Sequence, residues 1–342
     1  MQKDSVSVNK ILLVRTDRIG DVVLSLPMLP LLKKKYPNAA ISVLVRPYTK
    51  ELVEHHSCVS EVILWDEQQS ISSFASLLKK KHFDIAILPY PRFNLALIAY
   101  IAGIPLRVGT GYRWYSFLFN KRIYEHRKDA KRHEVDYNLN LLTTIGIETE
   151  SDPHFEFSIP DGVKKRIDDI LISDGISRFV VLHAGSGGSA RDWSIERFAQ
   201  LGDKLQEEHR VRVVLTGGEN DVALVTDLAA KMKTTPVNYA GRFSLQELGA
   251  LFLNAAAFVS NSTGPLHIAS MVGTPVVAFY PPIIQCSPKR WGPYTEKKRV
   301  FAADKTRCEL CKGGPCRSNV CMNQITVDQV ISGIKELLDE KK

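Results

Sequence analysis

Short apolar runs alternate with amphipathic stretches along most of the chain. The run at 11–14, Ile-Leu-Leu-Val, has the length and composition of a buried strand. The hexapeptide Arg15-Thr16-Asp17-Arg18-Ile19-Gly20 turns after it, and Val22, Val23, Leu26 and Leu29 recur at helical spacing, with Asp21 as the helix-opening residue. Pro27 and Pro30 are expected to distort that helix, since each lacks an N–H and clashes with the preceding turn. Further strands are predicted at 40–45, 62–65, 85–88 and 106–109, with helices at 71–80, 93–101 and 134–145. The stretch 148–162, with two prolines and many acids, breaks the rhythm and reads as a domain boundary. Beyond it the pattern resumes. Strands are predicted at 179–183, 211–215, 258–260 and 276–280. Helices are predicted at 195–207, 221–232 and 245–254, from Pro265 onward, and at 327–338.

Alternation of this kind predicts parallel sheets with helices on both faces. A chain of 342 residues is long for one compact unit. The expectation is an N-terminal Rossmann-like domain at 1–160 and a second at 161–325, facing one another across a ligand cleft. No run of eighteen apolar residues is present, so no membrane span is predicted. The polar first ten residues read as a tail and not a signal peptide, which favours the cytoplasm. A net charge of +8 permits nucleic acid, an anionic membrane surface or an anionic substrate as partner.

Asp21 stands beyond the carboxyl end of the first strand, where open α/β sheets bind ligands. It is either a helix cap or a working carboxylate. Three loops of the second half precede helices and offer free N–H groups, which favour phosphate. The first, 183–193, brings Ser186, Gly187 and Arg191; it lacks the Lys-Ser/Thr of a P-loop, which disfavours that class of ATPase. The second, 216–221, brings Glu219, able to bind a ribose diol or simply to begin a helix. The third, 260–267, brings Ser262, Thr263 and Gly264, with His267 either facing the same cleft or packed in the core. Between 107 and 133, eight Lys and Arg stand against two acids, interleaved with five aromatics at 112–119. That mixture suits a phosphorylated glycolipid at a membrane interface. Arg113, Lys121 and Arg122, with Arg18 beside Asp21, are the candidate acceptor-binding residues.

Cys58 and Cys286 are isolated, whereas Cys308, Cys311, Cys316 and Cys321 follow a C-x2-C-x4-C-x4-C spacing. Four thiolates at that spacing can hold a structural Zn²⁺; the alternative is a set of buried or paired thiols in an irregular loop. Neither reading gives them a catalytic role.

Taken together, RTDRIGDVVLSLPML, HAGSGGSARDW, NSTGPLHIAS and the terminal CMNQIT resemble glycosyltransferase family 9, the bacterial lipopolysaccharide heptosyltransferases. The resemblance implies a GT-B architecture of two Rossmann-like domains, with the closing helix, 326–342, crossing back to the first. It implies an inverting, metal-independent transfer with no cofactor, most simply of heptose from ADP-heptose to a lipopolysaccharide core or related glycolipid. Asp21 would be the general base. Arg191 would meet the donor diphosphate, together with Ser186 and Gly187, and Glu219 the ribose. Ser262, Thr263, Gly264 and His267 would form the diphosphate loop. The partners implied are a nucleotide-sugar donor, an anionic glycolipid and the cytoplasmic surface of the inner membrane, on which the protein would lie peripherally. Two departures stand out: Ser262 replaces an aspartate of the family pattern, and Ser194 replaces the proline that usually follows the tryptophan.

A GT-B-type nucleotide-sugar epimerase or a non-catalytic nucleotide-sugar binder would share these loops. A nucleic-acid partner is not expected, because no nucleic-acid module is recognisable. A dehydrogenase is disfavoured by the lack of a clean G-x-G-x-x-G after either first strand.

Overall fold

The computed structural model describes residues 8–149, 152–188, 191–304 and 320–339. The chain divides into two compact units, one of Met1–Arg127 and Glu134–Ser158, the other of Lys128–His133 and Ile159–Lys342.

The first unit contains β1 (Lys10–Val14), α1 (Ile19–Val23), α2 (Met28–Lys35), β2 (Ala40–Val45), β3 (Glu61–Leu64), α3 (Ile71–Lys81), β4 (Ile85–Ile87), α4 (Phe93–Ile101), β5 (Leu106–Thr110), β6 (Lys121–Ile123) and α5 (Glu134–Thr143). Its six strands are parallel in the order β3-β2-β1-β4-β5-β6. Leu13 of β1 lies between Val43 and Ile87. Helices cover both faces of such a sheet, so its central strands are apolar on both sides, and Ile11 to Val14 are all buried. The prolines act as expected. The first helix stops at Val23, and separate turns carry the chain through Ser25 and Leu26. Pro27 flanks α2, and Pro30 falls in its first turn, where an N–H would have no partner inside the helix.

The second unit contains α6 (Asp161–Ser173), β7 (Phe179–His183), α7 (Ile195–Glu207), β8 (Arg212–Leu215), α8 (Val222–Lys231), β9 (Val237–Asn238), α9 (Leu245–Asn254), β10 (Ala257–Asn261), α10 (Gly264–Met271), β11 (Val276–Tyr280), α11 (Pro288–Trp291), β12 (Lys298–Ala302) and α12 (Val327–Asp339). Its parallel sheet has the order β12-β11-β10-β7-β8-β9, the same winding as the first. The core gathers Val180, Leu182, Trp193, Phe198, Val259 and Phe279. The closing helix α12, for which a return to the first half is expected, buries Val330, Ile331, Ile334 and Leu337 in this same core. Its neighbours there are α7 and strands β10 to β12, and its Gly333 faces the ring of Phe301. Among the described residues no helix is long and apolar enough to cross a membrane.

Candidate active site

In the first unit β1 has β2 on one side and β4 on the other, so the winding reverses there and the carboxyl end of β1 is the natural ligand position. Arg15 is the first residue past that strand, and it is 1% exposed. Its Nε donates to the Asp21 carbonyl at 3.0 Å and lies 3.1 Å from Asp17 Oδ1. Its Nη2 donates to Asp21 Oδ1 at 2.8 Å and stands 3.6 Å from Glu134 Oε1. Glu134 opens α5, is buried, and pairs with Arg127 as well. Arg127 donates to Asn138 Oδ1 at 3.0 Å, and Asn138 Nδ2 donates to the Leu24 carbonyl at 2.9 Å in the turn between α1 and α2. The Ser25 hydroxyl donates to the Asp21 carbonyl at 2.8 Å. Three carboxylates and two guanidinium groups thus offset one another's desolvation.

Asp21 occupies the first turn of α1, but Arg18 holds the capping position and the Asp21 carboxylate is directed to Arg15. Burial pushes the Asp17 carboxyl up to about 7; Arg15 opposes that rise, and Asp21 and Glu134 add to it. Burial works against the charge of Arg15, yet Asp17, Asp21 and Glu134 outweigh it and raise its pKa.

Arg18, Arg113, Lys121 and Arg122 are exposed. So are Tyr112, Trp114, Phe117 and Tyr124. Tyr112 stacks on His126 at 3.8 Å between ring centroids, and Trp114 lies 4.8 Å from Phe93. Two bases of this stretch serve the interior instead. Arg107 Nε donates to the Leu118 carbonyl at 2.7 Å, and Arg127 is engaged with Glu134 and Asn138.

In the second unit the reversal falls between β7 and β10. The loop after β7 turns through Gly187 and Gly188 at φ of 57° and 71°, a region that favours glycine. Asn261, at the end of β10, ties both ends of this loop. Its Oδ1 accepts from the Trp193 N–H at 2.7 Å, and its Nδ2 donates to the Ala184 carbonyl at 2.8 Å. Trp193 is buried against Phe198 and Phe279, with its indole N–H on the Ile325 carbonyl at 2.9 Å. Ser194, in the place of the usual proline, takes the extended capping position of α7. Ser186 is buried, and Arg191 is part-buried with its Nη1 3.9 Å from Cys321 Sγ.

The loop after β8 exposes Glu219. Asp221, two residues on, packs against Gly185, where a Cβ would come within 2.7 Å of the carboxyl and displace it, so glycine lets the two loops meet as they do. Thr263 precedes α10, and its side chain makes no capping hydrogen bond. The first N–H groups of α10 therefore have no partner from the helix or from that cap, the arrangement anions use. Ser262 interacts with Tyr280, whose hydroxyl donates to the Trp291 carbonyl at 2.7 Å. His267 is buried, and burial lowers its pKa to about 3. It is therefore neutral at physiological pH and brings a dipole, not a charge.

Glu134, Arg127 and Asn138 lie outside the quoted motifs, whereas Asp17 falls inside RTDRIGDVVLSLPML with no role assigned to it. Glu134 is signalled only as an acid opening a predicted helix, and Asn261, the first residue of NSTGPLHIAS, is expected in a loop with no role of its own. Of the cysteine cluster, Cys308, Cys311 and Cys316 lie outside the described residues, and Cys321 is a buried thiol. Among the described residues no group of three or more His, Cys, Asp or Glu is placed to hold a metal ion.

Two six-stranded parallel sheets of the same winding, each with loops gathered at its reversal point, define a Rossmann-like α/β protein. The whole chain superposes on a glycosyltransferase family 9 structure from Veillonella parvula with a TM-score of 0.83, at 24% identity and covering 99% of this chain and all of that one. It superposes on the Escherichia coli ADP-heptose lipopolysaccharide heptosyltransferase II with a TM-score of 0.80, at 24% identity over 97% and 99% of the two chains. Lipopolysaccharide heptosyltransferase 3 of Escherichia coli is 24% identical over 336 residues, 94% of this chain and 96% of that protein. Residues 71–321 match the family model of glycosyltransferase family 9 (heptosyltransferase). The chain belongs to that family: it is a glycosyltransferase with the GT-B fold.

Proposed function

We propose that this enzyme transfers heptose from ADP-heptose to a lipopolysaccharide core or a related glycolipid, with inversion and without a metal. The names of its relatives support the donor and acceptor classes. The observation that carries the catalytic reading is the placement of Asp21, fixed through both its backbone carbonyl and its carboxylate by one buried arginine. In the reaction the acceptor O–H bond breaks and its proton passes to the Asp21 carboxylate. The acceptor oxygen bonds to the anomeric carbon, and the electron pair of the anomeric C–O bond leaves with ADP. A base of this kind contributes about 10²–10⁴ in rate. Arg191, the backbone around Ser186 and Gly187, and the α10 N-terminus at Thr263 and Gly264 meet the charge gathering on the leaving diphosphate. Ser262 offers a hydroxyl there, neutral His267 a ring N–H, and Glu219 binds the ribose. Arg18, Arg113, Lys121 and Arg122 meet the acceptor's phosphates. Trp114 and Phe117, 73% and 63% exposed, rest with them on the cytoplasmic face of the inner membrane.

The test is Asp21→Asn, assayed for ADP release from ADP-heptose with heptose-deficient lipopolysaccharide, alongside calorimetry of ADP-heptose binding. The expected result is turnover reduced at least a hundredfold with donor affinity kept. Normal turnover removes Asp21 as the base.

A further inference from the structure

The proposed base is not held by one contact. Behind Arg15 stands a second, fully formed pair, Glu134 with Arg127. Arg15 divides its charge among three carboxylates: Asp17, Asp21 and Glu134. Whatever fraction Glu134 takes is withheld from Asp21, and Arg127 decides how much Glu134 takes. We propose that Arg15, Glu134 and Arg127 are positioning residues: Arg15 aims Asp21, and the Glu134–Arg127 pair on α5 and its preceding loop sets how strongly Arg15 holds it.

The three acids and two bases carry a net charge of −1 when all are ionised, so they cannot pair one to one. Arg127 is committed to Glu134 and to Asn138. Arg15 is left to serve two acids on its own loop, with its Nε near Asp17 and its Nη2 on Asp21. Other titratable or charged groups beside this cluster are Tyr48, whose hydroxyl donates to the Asp17 carbonyl at 2.6 Å, Arg18 and Arg46 close to that tyrosine, and Tyr137, whose ring centroid lies 5.5 Å from the Arg127 guanidinium. In so buried a setting the loss of either member of the Glu134–Arg127 pair is felt at Asp21 through Arg15, because water screens little of it. The two losses have opposite signs. Neutralising Glu134 gives Arg15 wholly to Asp17 and Asp21 and makes Asp21 a weaker base. Neutralising Arg127 lets Glu134 draw on Arg15 and makes Asp21 a stronger one.

This inference rests on Asp21 being the base. The experiment follows kcat against pH for the full-length protein, with ADP-heptose and heptose-deficient lipopolysaccharide, in Glu134→Gln, Arg127→Met, the double variant and Arg127→Lys. Glu134→Gln is expected to move the acid limb down by about one pH unit and Arg127→Met to move it up by about as much, a tenfold change in rate on the limb in each case. The double variant returns the limb close to its original position, and Arg127→Lys leaves it there. The double variant also covers the possibility that a single one fails to fold, since it leaves no buried charge of this pair unpaired. A limb that moves in the same direction in both single variants, or in neither, overturns the proposal, as does a displaced limb in the double variant. Asp21→Asn with normal turnover overturns the base reading itself. Asp21→Asn inactive with unmoved limbs overturns only the role given to Glu134 and Arg127.

Discussion

Asn261→Ala tests whether the phosphate-type loop of the second unit is held by one side chain. Asn261 is fully buried, and it satisfies the Trp193 N–H at 2.7 Å and the Ala184 carbonyl at 2.8 Å. Alanine strands both. A buried backbone group left without its partner costs about 1–3 kcal/mol, so the pair costs about 2–6 kcal/mol. In a domain of 150–250 residues each kcal/mol lowers Tm by about 2–4 °C, so a 4 kcal/mol loss lowers it by about 8–16 °C. Urea unfolding followed by tryptophan fluorescence reads the loss, since Trp193 is itself buried at the clasp. Calorimetry with ADP reads its consequence for the loop, where a fall of at least tenfold in affinity is expected. Asn261→Asp keeps an acceptor for Trp193 but turns a carboxylate on the Ala184 carbonyl, so it destabilises at least as much at neutral pH. A loss under about 1 kcal/mol with ADP affinity unchanged rules out the clasp, because a side chain that can be removed at so little cost does not organise the loop.

Arg191→Ala should weaken ADP binding by tenfold or more and Arg191→Lys by less, measured by calorimetry; equal affinity in all three proteins removes Arg191 from the diphosphate site. Trp114→Ala with Phe117→Ala should halve or further reduce sedimentation with phosphatidylglycerol vesicles. Added salt should weaken the wild-type interaction, and salt-independent binding would count against the basic stretch. The second unit should lose stability in acid. Burial lowers the pKa of His183 to about 4 and of His267 to about 3, whereas in the unfolded chain both titrate near ~6.5. Between those values only the unfolded chain takes up protons, so stability present above pH ~6.5 is lost as pH falls toward 4, by several kcal/mol in all. Asp17 acts with the opposite sign in the first unit, because its carboxyl is raised to about 7: its contribution is greatest in acid and is lost as pH rises through that value. Urea midpoints of the second unit that stay flat between pH 7 and pH 5 would contradict the histidine assignment.

Much of the architecture can be read along the chain because its central strands are buried on both faces. β2, β7 and β11 coincide with their apolar runs, as do α4, α7 and α9 with their periodicity. The strands that escape prediction are at or near the margins of the sheets. β6 is Lys-Arg-Ile and β9 has two residues, so neither has an apolar run to announce it, and β12 begins Lys-Arg and keeps only the short run Val300-Phe301-Ala302. The helix α6 is hidden for another reason: it follows directly on an acidic, proline-containing stretch, and only Ile167 and Leu171 of its residues are buried.

The family, the two Rossmann-like halves and the loops in which Asp21, Arg191, Glu219 and Thr263 stand are legible along the chain, because periodicity and short motifs are properties of neighbouring residues. The sequence alone could not show that Arg15 turns inward to fix Asp21, that Glu134 and Arg127 meet behind it from more than a hundred residues further on, or that Asn261 closes a loop that ends 68 residues before it. Nor is the packing of the last helix in the core of the second unit written along the chain, where the resemblance implies a return to the first half. Those are matters of long-range pairing among buried charges and backbone groups. Folding brings them together because each would otherwise be left without a partner in a place that water does not reach.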